Sequence, residues 1–206
     1  IKYGAQDVHF EKEGAYTGGV SAQMISSLGA TLTLVGHSEK RNEGDTNEVV
    51  ARKIENALKA GLSIVLCVGE KSRDSSADYH IAVKRDLEES LALFPKSKLT
   101  SLTIAYEPVW AIGKNAVRQA TPEESREMSV FIKKVLTDMY GSKGSDVPVL
   151  YGGSVTVENC EVFLREGGVQ GLLVGRDSLN PIRFSKIVAK ASQISNSINT
   201  STKSNK

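Results

Sequence analysis

Short, almost continuously apolar runs alternate with longer amphipathic segments along most of the chain. Such runs are typical of strands that are covered on both faces. They predict six strands, at residues 1–5, 31–35, 63–68, 102–106, 147–151 and 171–174. Because a helical pattern separates each strand from the next, we expect the strands to be parallel.

The predicted helices have recognisable starts. Asp45 followed by Glu48 predicts a capping box, and Thr121-Pro122 followed by Glu124 predicts a second one. Asn180-Pro181 repeats the combination of a capping residue and a proline at the first helical position. These signals place helices between the strands and after the last one.

The unit length favours a barrel but does not decide the architecture. Residues 192–206 are polar and of low complexity, which predicts a disordered C-terminal tail. The remainder divides into six units of about 32 residues, the unit length of a closed (β/α)8 barrel of about 250 residues. The strand count is two short of that barrel, so the pattern alone leaves a six-stranded doubly wound sheet open.

Composition and charge exclude several classes of partner. The net charge is +2, and the basic residues are dispersed without interleaved aromatic residues, which argues against nucleic-acid binding. Apolar runs stay well below the roughly 20 residues of a membrane span, and no secretory pattern is present, so we expect a cytoplasmic protein without membrane contact. The cysteines and histidines have no metal-ligand spacing, and we predict no metal site: Cys67, Cys160, His9, His37 and His80.

Polar residues follow several strands at the point where each strand ends, which is where α/β folds place their chemistry. "VGHSEKR" puts His37 at the exit of the second strand, and "VGEKSRD" puts Glu70 where it could brace its neighbours. "YEPVWAIGK" ends the fourth strand with Glu107, and the only tryptophan, Trp110, follows three residues later. A glutamate at this position is otherwise a solvated residue just beyond a strand.

The last two strands end in short glycine turns, "YGGSV" and "VGRDS". Such turns expose backbone N–H groups and suit a phosphate group. One such turn is weak evidence, but two on the last strands of a β/α chain favour a phosphate site, because barrels often bind phosphate there.

The motifs "GHSEKR", "LCVGE", "AYEPVWAIGK", "YGGSV" and "GLLVGRDSL" resemble the triosephosphate isomerase family in order and spacing. The resemblance extends to about residue 190 and implies that residues 1–191 form six of the eight β/α units of a TIM barrel. It also implies that the chain begins at the family's third strand, without the Asn-x-Lys motif of the first strand.

The resemblance implies a function and residue roles. The family interconverts dihydroxyacetone phosphate and glyceraldehyde 3-phosphate without a cofactor. By resemblance, Glu107 is the base and His37 the neutral electrophile, the roles for which this enzyme is itself the established example. Glu39 is similar to the family's carboxylate beside the active site. Backbone N–H groups of four residues would bind the substrate phosphate: Gly113, Ser154, Gly175 and Arg176.

The same resemblance implies a lid and a dimer. Residues 108–110 match the hinge of the family's active-site lid, and residues 111–113 match its closing tip, again an established example of such a loop. The segment "AIGKNAVRQATP" is two residues longer than the commoner pattern, and Arg176 stands where many members have a glycine. The loop around Thr17 is similar to the one that contacts the neighbouring subunit, which implies a homodimer.

Several alternatives stay open at this stage. Trp110 could be an ordinary core residue, Ser154 a helix cap, and Glu39 a salt-bridge partner of Lys40 or Arg41. The chain as a whole could be a non-catalytic remnant that binds phosphate or assembles with another chain.

Overall fold

The computed structural model describes residues 1–73, 78–113 and 116–203, with side chains described as far as residue 197. It contains one sheet of six parallel strands. The strands are β1 Gly4–Ala5, β2 Leu32–Val35, β3 Ser63–Val68, β4 Leu102–Tyr106, β5 Val149–Tyr151 and β6 Gly171–Leu172.

The spatial order of the strands equals their order along the chain, β1 to β6. A doubly wound sheet reverses its strand order at a switch point. The uninterrupted order therefore excludes that alternative and is the order of a singly wound β/α barrel.

Seven α-helices lie in the described part of the chain and follow the strands. They are α1 Ala22–Ser27, α2 Ser38–Asn42, α3 Asn47–Lys59, α4 Asp78–Ser90, α5 Pro122–Tyr140, α6 Cys160–Glu166 and α7 Pro181–Lys203. Two short 3-10 turns, Val109–Ala111 and Arg176–Leu179, follow β4 and β6. The exits of β2, β4 and β6 are thus each followed within a few residues by a short helix or 3-10 turn.

The core is centred on β3 and β4. Leu66, Cys67 and Val68 are buried in succession in β3, and Ile104 and Ala105 are buried in β4. Consecutive buried residues face opposite sides of a strand, so both faces of the sheet are covered here. This confirms the reading of the continuous apolar runs as buried strands.

The outer strands are shorter than predicted. β1 pairs over Gly4–Ala5 rather than 1–5, and β6 over Gly171–Leu172 rather than 171–174. In the described part of the chain each of them has one neighbouring strand, so ladder hydrogen bonds form on one side only.

Two of the three predicted helix starts are confirmed. Thr121 and Glu124 form both halves of a capping box, and Asn180 Oδ1 accepts from two backbone N–H groups of α7. The prediction for α3 is wrong: Thr46, not Asp45, is the N-cap. Asp45 instead pairs with Lys53 at 2.6 Å, a contact within the tertiary structure that outweighs the local cap.

The structure also differs from the expected tail. Residues 192–203 continue α7 to Lys203. Ile194 is 4% exposed and so anchors this extension to the core. Extending an existing helix avoids the unfavourable nucleation step, so a serine- and asparagine-rich stretch can follow it. Residues 204–206 of the predicted tail lie outside the described residues.

Candidate functional site

The exits of β2, β3 and β4 meet at one edge of the sheet. The register pairs Val35 with Leu66, and Val68 with Tyr106. The residues that follow these strand ends are therefore neighbours in space, although up to 70 positions separate them in the sequence.

Glu107 is the buried acid of this edge, with 2% of its surface exposed. Its backbone N–H donates to Val68 O at 2.8 Å, which extends the ladder one residue past β4. One carboxylate oxygen lies 3.0 Å from His37 Nε2, and the other accepts from the Ser38 N–H at 2.9 Å. The sequence pointed to Glu107 and His37, and the structure brings them into direct contact.

His37 is both the N-cap of α2 and the partner of Glu107. Its Nδ1 accepts from the Glu39 N–H at 3.3 Å, so the neutral ring carries its proton on Nε2, toward Glu107. The hydrogen bond with Glu107 raises the pKa of His37, and partial burial of the ring opposes the rise. The N-terminal end of α2 also disfavours a positive ring.

Two glycines make room for Glu107. A Cβ built on Gly69 would lie 1.7 Å from the Glu107 carbonyl oxygen, and one on Gly152 would lie 3.1 Å from Glu107 Cγ. Sequence reasoning missed this role of Gly69 and the hydrogen bond from Ser38. The motifs that contain these two residues, "VGE" and "GHS", are the only sequence signal for these contacts. Both contacts with Glu107 depend on the register between strands and not on neighbouring residues in the sequence.

Glu70 braces the segment after β4, as the sequence predicted. One of its carboxylate oxygens accepts from Tyr106 Oη at 2.8 Å and from Trp110 Nε1 at 2.7 Å. Burial raises the pKa of Glu70, and the hydrogen bonds from Trp110 and Tyr106 counteract this. Trp110 is 7% exposed and is therefore both a core residue and a hydrogen-bonded one.

Glu39 lies apart from this buried group. It is exposed in the first turn of α2, and its charge contributes only a minor part of the rise in the pKa of His37. The two cations suggested as its partners have others: Lys40 pairs with Glu43 at 2.7 Å, and Arg41 donates to Asn47 at 2.6 Å. The role of Glu39 stays a prediction.

The four residues predicted to contact phosphate follow β4, β5 and β6. Ser154 Oγ donates to Ala111 O at 3.1 Å, which joins the turn after β5 to the predicted lid. Gly175 and Arg176 are exposed at the start of the 3-10 turn after β6, and Gly113, at the tip of the predicted lid, is exposed with φ +78°. Residues 114–115 of the predicted lid lie outside the described residues.

A cleft of about 650 Å³ reaches Ser38, Glu70 and Glu107 from the side of α3 and α4. Among its described lining residues, none belongs to the predicted phosphate set. The cleft is thus lined by residues that follow β2, β3 and β4 and not by the turns after β5 and β6.

No group of three or more His, Cys, Asp or Glu side chains in the described ranges is arranged to hold a metal ion. None of the helices described here combines the length and apolarity needed to cross a membrane.

Comparisons with known proteins agree with this geometry. The family described as triosephosphate isomerase matches residues 1–191. A triosephosphate isomerase of Thermus thermophilus is 44% identical over 185 residues, covering 87% of this chain and 72% of that protein. One from Aquifex aeolicus is 40% identical over 190 residues, covering 91% of this chain and 76% of that protein.

A solved structure of triosephosphate isomerase from Bartonella henselae superposes with a TM-score of 0.83 at 35% identity. The match covers 92% of this chain and 77% of the other. The six sequential parallel strands thus form part of a TIM barrel. By the family model, the similar relatives and the superposed structure alike, the chain belongs to the triosephosphate isomerase family, a family of isomerases.

Proposed function

We propose that Glu107 and His37 of this chain interconvert dihydroxyacetone phosphate and D-glyceraldehyde 3-phosphate. The observation that carries the proposal is the 3.0 Å contact between His37 Nε2 and the buried Glu107 carboxylate. A carboxylate and an imidazole N–H at this distance can act on adjacent atoms of one small substrate.

The steps require only these two side chains at the reacting atoms. Glu107 removes a proton from the carbon next to the ketone, and the electron pair moves onto the carbonyl oxygen. The Nε2–H of His37 stabilises that oxygen and transfers protons between the two oxygens of the enediolate. Glu107 then returns its proton to the neighbouring carbon, which gives the aldose; the redox change stays within the substrate.

The substrate must replace one of the two hydrogen bonds of Glu107. In the present geometry the carboxylate accepts from Ser38 N–H and His37 Nε2. A substrate carbonyl that takes the Nε2–H leaves one carboxylate oxygen free to accept a carbon-bound proton. The two hydrogen bonds therefore hold the carboxylate close to its site of action until substrate enters.

Backbone N–H groups of Gly113, Ser154, Gly175 and Arg176 would bind the substrate phosphate. Two features support this: the turns lie at the edge of the sheet that carries Glu107, and Ser154 contacts the lid through Ala111 O. Glu39 would act through its charge on His37. The reaction would serve glycolysis and gluconeogenesis in the cytoplasm.

We also propose a homodimer formed through the loop around Thr17. Residues 12–18 are exposed, and the loop is closed by a hydrogen bond from His9 N to Val20 O at 2.8 Å. Its start is fixed by buried Lys53, which donates to Asp7 at 2.8 Å and 2.9 Å. Sedimentation of wild type and Thr17→Arg tests this: the variant should be monomeric, and an unchanged dimer would contradict the proposal.

An isomerase assay on the full chain tests the function. Wild type should turn over dihydroxyacetone phosphate, and Glu107→Gln should lose about 10²- to 10⁴-fold in kcat, the usual range for a general base. Glu107→Asp keeps the charge but moves the carboxylate, and its kcat should lie between the values for wild type and Glu107→Gln. Phosphate binding without turnover in the wild type would favour the non-catalytic remnant instead.

A further inference from the structure

Arg41 binds both peptide groups that flank His37. Its side-chain Nε–H donates to Gly36 O at 2.8 Å, and its backbone N–H donates to His37 O at 2.9 Å. The first carbonyl belongs to the peptide that precedes His37, and the second belongs to the peptide that follows it. One residue, four positions later in α2, therefore fixes the direction of the His37 Cα–Cβ bond from both sides.

Gly36 turns the chain from β2 into α2 against the guanidinium of Arg41. Its φ is +70°, in the left-handed region that favours glycine. A Cβ built on Gly36 would lie 3.0 Å from Arg41 Nη2 and 3.1 Å from Cys67 O, so the guanidinium packs directly on the turn. Arg41 Nη2 also makes a long contact of 3.4 Å with Cys67 O in β3. The turn into His37 is thus held against the neighbouring strand.

Asn47, the first residue of α3, sets the orientation of the Arg41 guanidinium. Its Oδ1 accepts from Arg41 Nη1 at 2.6 Å and from Ser90 Oγ at 3.2 Å. Its Nδ2 donates to Asp86 at 3.1 Å and to Glu89 at 2.8 Å, both in α4. These four contacts use both donor hydrogens and both acceptor sites of the amide. Because arginine only donates and carboxylates accept, the amide is satisfied in one orientation, and it connects Arg41 to α4.

A guanidinium suits this set of contacts better than an ammonium does. The three nitrogens of the Arg41 side chain each face a different acceptor: Gly36 O, Asn47 Oδ1 and Cys67 O. The donors of a guanidinium are spread over a rigid plane, whereas a lysine has one nitrogen on a flexible stem. A lysine at this position could therefore replace only part of the arrangement.

We infer that Arg41 is a positioning residue for His37. The guanidinium holds the peptide that precedes His37, so the imidazole Nε2 stays 3.0 Å from the Glu107 carboxylate. The His37 side chain is 30% exposed, and packing alone therefore does not fix the ring. The effect on turnover rests on the proposed function, but the position of the ring can be measured without turnover.

The first test observes the His37 ring by NMR. In protein with 15N-labelled histidine, the ring nitrogen shifts show which nitrogen carries the proton, and His37→Asn assigns the signal among the three histidines. Wild type should have the proton on Nε2. Arg41→Ala should release the ring, so that its shifts move toward the average of the two tautomers, and Arg41→Lys should give an intermediate result. Unchanged His37 shifts in Arg41→Ala would overturn the inference.

The second test separates turnover from phosphate binding. Arg41→Ala should lower kcat for triose phosphate by about 10- to 10²-fold, as expected for a misplacement of about 1 Å. The inhibition constant of inorganic phosphate should stay near the wild-type value, because Arg41 binds the exits of β2 and β3 and the proposed phosphate turns follow β4, β5 and β6. Asn47→Ala should lower kcat by a smaller factor, since the bond from Arg41 to Gly36 O remains.

Arg165→Ala is the control for loss of an arginine. Arg165 is about half exposed on α6 and pairs with Glu161 at 3.0 Å, so its removal should leave the His37 shifts and kcat unchanged. If Arg41→Ala does not fold, Arg41→Lys and Asn47→Ala make the same comparison.

The results distinguish this inference from the proposed function. Parallel losses of kcat and phosphate binding in the Arg41 variants, or a kcat equal to that of Arg165→Ala, would mean that Arg41 does not position His37. A wild type without isomerase activity would overturn the proposed function alone, and the His37 shifts would then decide the role of Arg41.

Discussion

The exits of β2 to β4 differ from the exits of β5 and β6 in how firmly they hold their functional residues. Glu107 is 2% exposed and bonded to His37 and Ser38, whereas Gly175 and Arg176 are exposed. The proposed proton-transfer half of the site is thus held by hydrogen bonds, and the proposed phosphate half has its backbone groups on exposed turns. On the proposed function, substrate therefore meets an acid–base pair that is already in contact.

The largest expected effect is on the acid–base pair. His37→Asn removes the Nε2–H but keeps an acceptor at the position of Nδ1 that can cap α2, so folding should be preserved. We expect kcat to fall about 10²- to 10³-fold, the loss typical of one oxyanion-stabilising donor. Steady-state kinetics on purified protein measures this, and a loss below tenfold would remove His37 from the chemistry.

The next effect concerns packing around Glu107. Gly69→Ala places a methyl group against the Glu107 backbone, and overpacking of this kind costs about 1–3 kcal/mol in unfolding free energy. Gly171→Ala in β6 is the control, because its nearest neighbour is a movable methyl of Leu150. Denaturant unfolding should show the larger loss for Gly69→Ala; equal losses would mean that the two halves are packed alike.

A smaller effect is expected from the ionisation of Glu70. Burial raises the pKa of Glu70 in the folded chain above its unfolded value of about 4.3. Its contribution to the free energy of unfolding is therefore fully present below about pH 4.3, and it is lost as the pH rises through the folded pKa. Glu70→Gln cannot ionise. The difference in unfolding free energy, wild type minus variant, should therefore decrease between about pH 4 and pH 7. A constant or increasing difference would contradict a buried, destabilised carboxylate.

The smallest effect is expected at the phosphate half. Ser154→Ala removes the hydrogen bond to Ala111 O but keeps the backbone N–H of residue 154. A neutral hydrogen bond contributes about 0.5–1.5 kcal/mol, so kcat should change by less than about tenfold. A loss as large as that of His37→Asn would show that the proposed phosphate half is as tightly specified as the proton-transfer half.

Sequence reasoning succeeded where the signal is local. The cap at Thr121 and the strand of β4 depend on residues within a few positions of each other, and both are found as predicted. The prediction of Asp45 as a helix cap is wrong because its carboxylate pairs with Lys53, eight residues further along the chain. The length of α7 was underestimated because burial of Ile194 outweighs the polar composition around it.

The residues of the candidate site also divide into those with a local sequence signal and those without one. Glu107, His37 and Glu70 stand out because each lies within two residues of the end of an apolar strand. Ser38 and Gly69 act on Glu107 across 69 and 38 positions, through a register that the sequence does not display. The contact of Arg41 with Gly36 O could not be predicted either, because a side chain of the next helix sets the direction of the guanidinium.

Isomerisation in D₂O tests the central claim, proton transfer by Glu107 at a carbon next to the carbonyl, most directly. A proton held by a carboxylate can exchange with solvent, so the product should carry deuterium at the carbon that receives it, and Glu107→Gln should lose both turnover and label. Turnover by the wild type without any deuterium at that carbon would indicate a direct hydride shift and contradict the account.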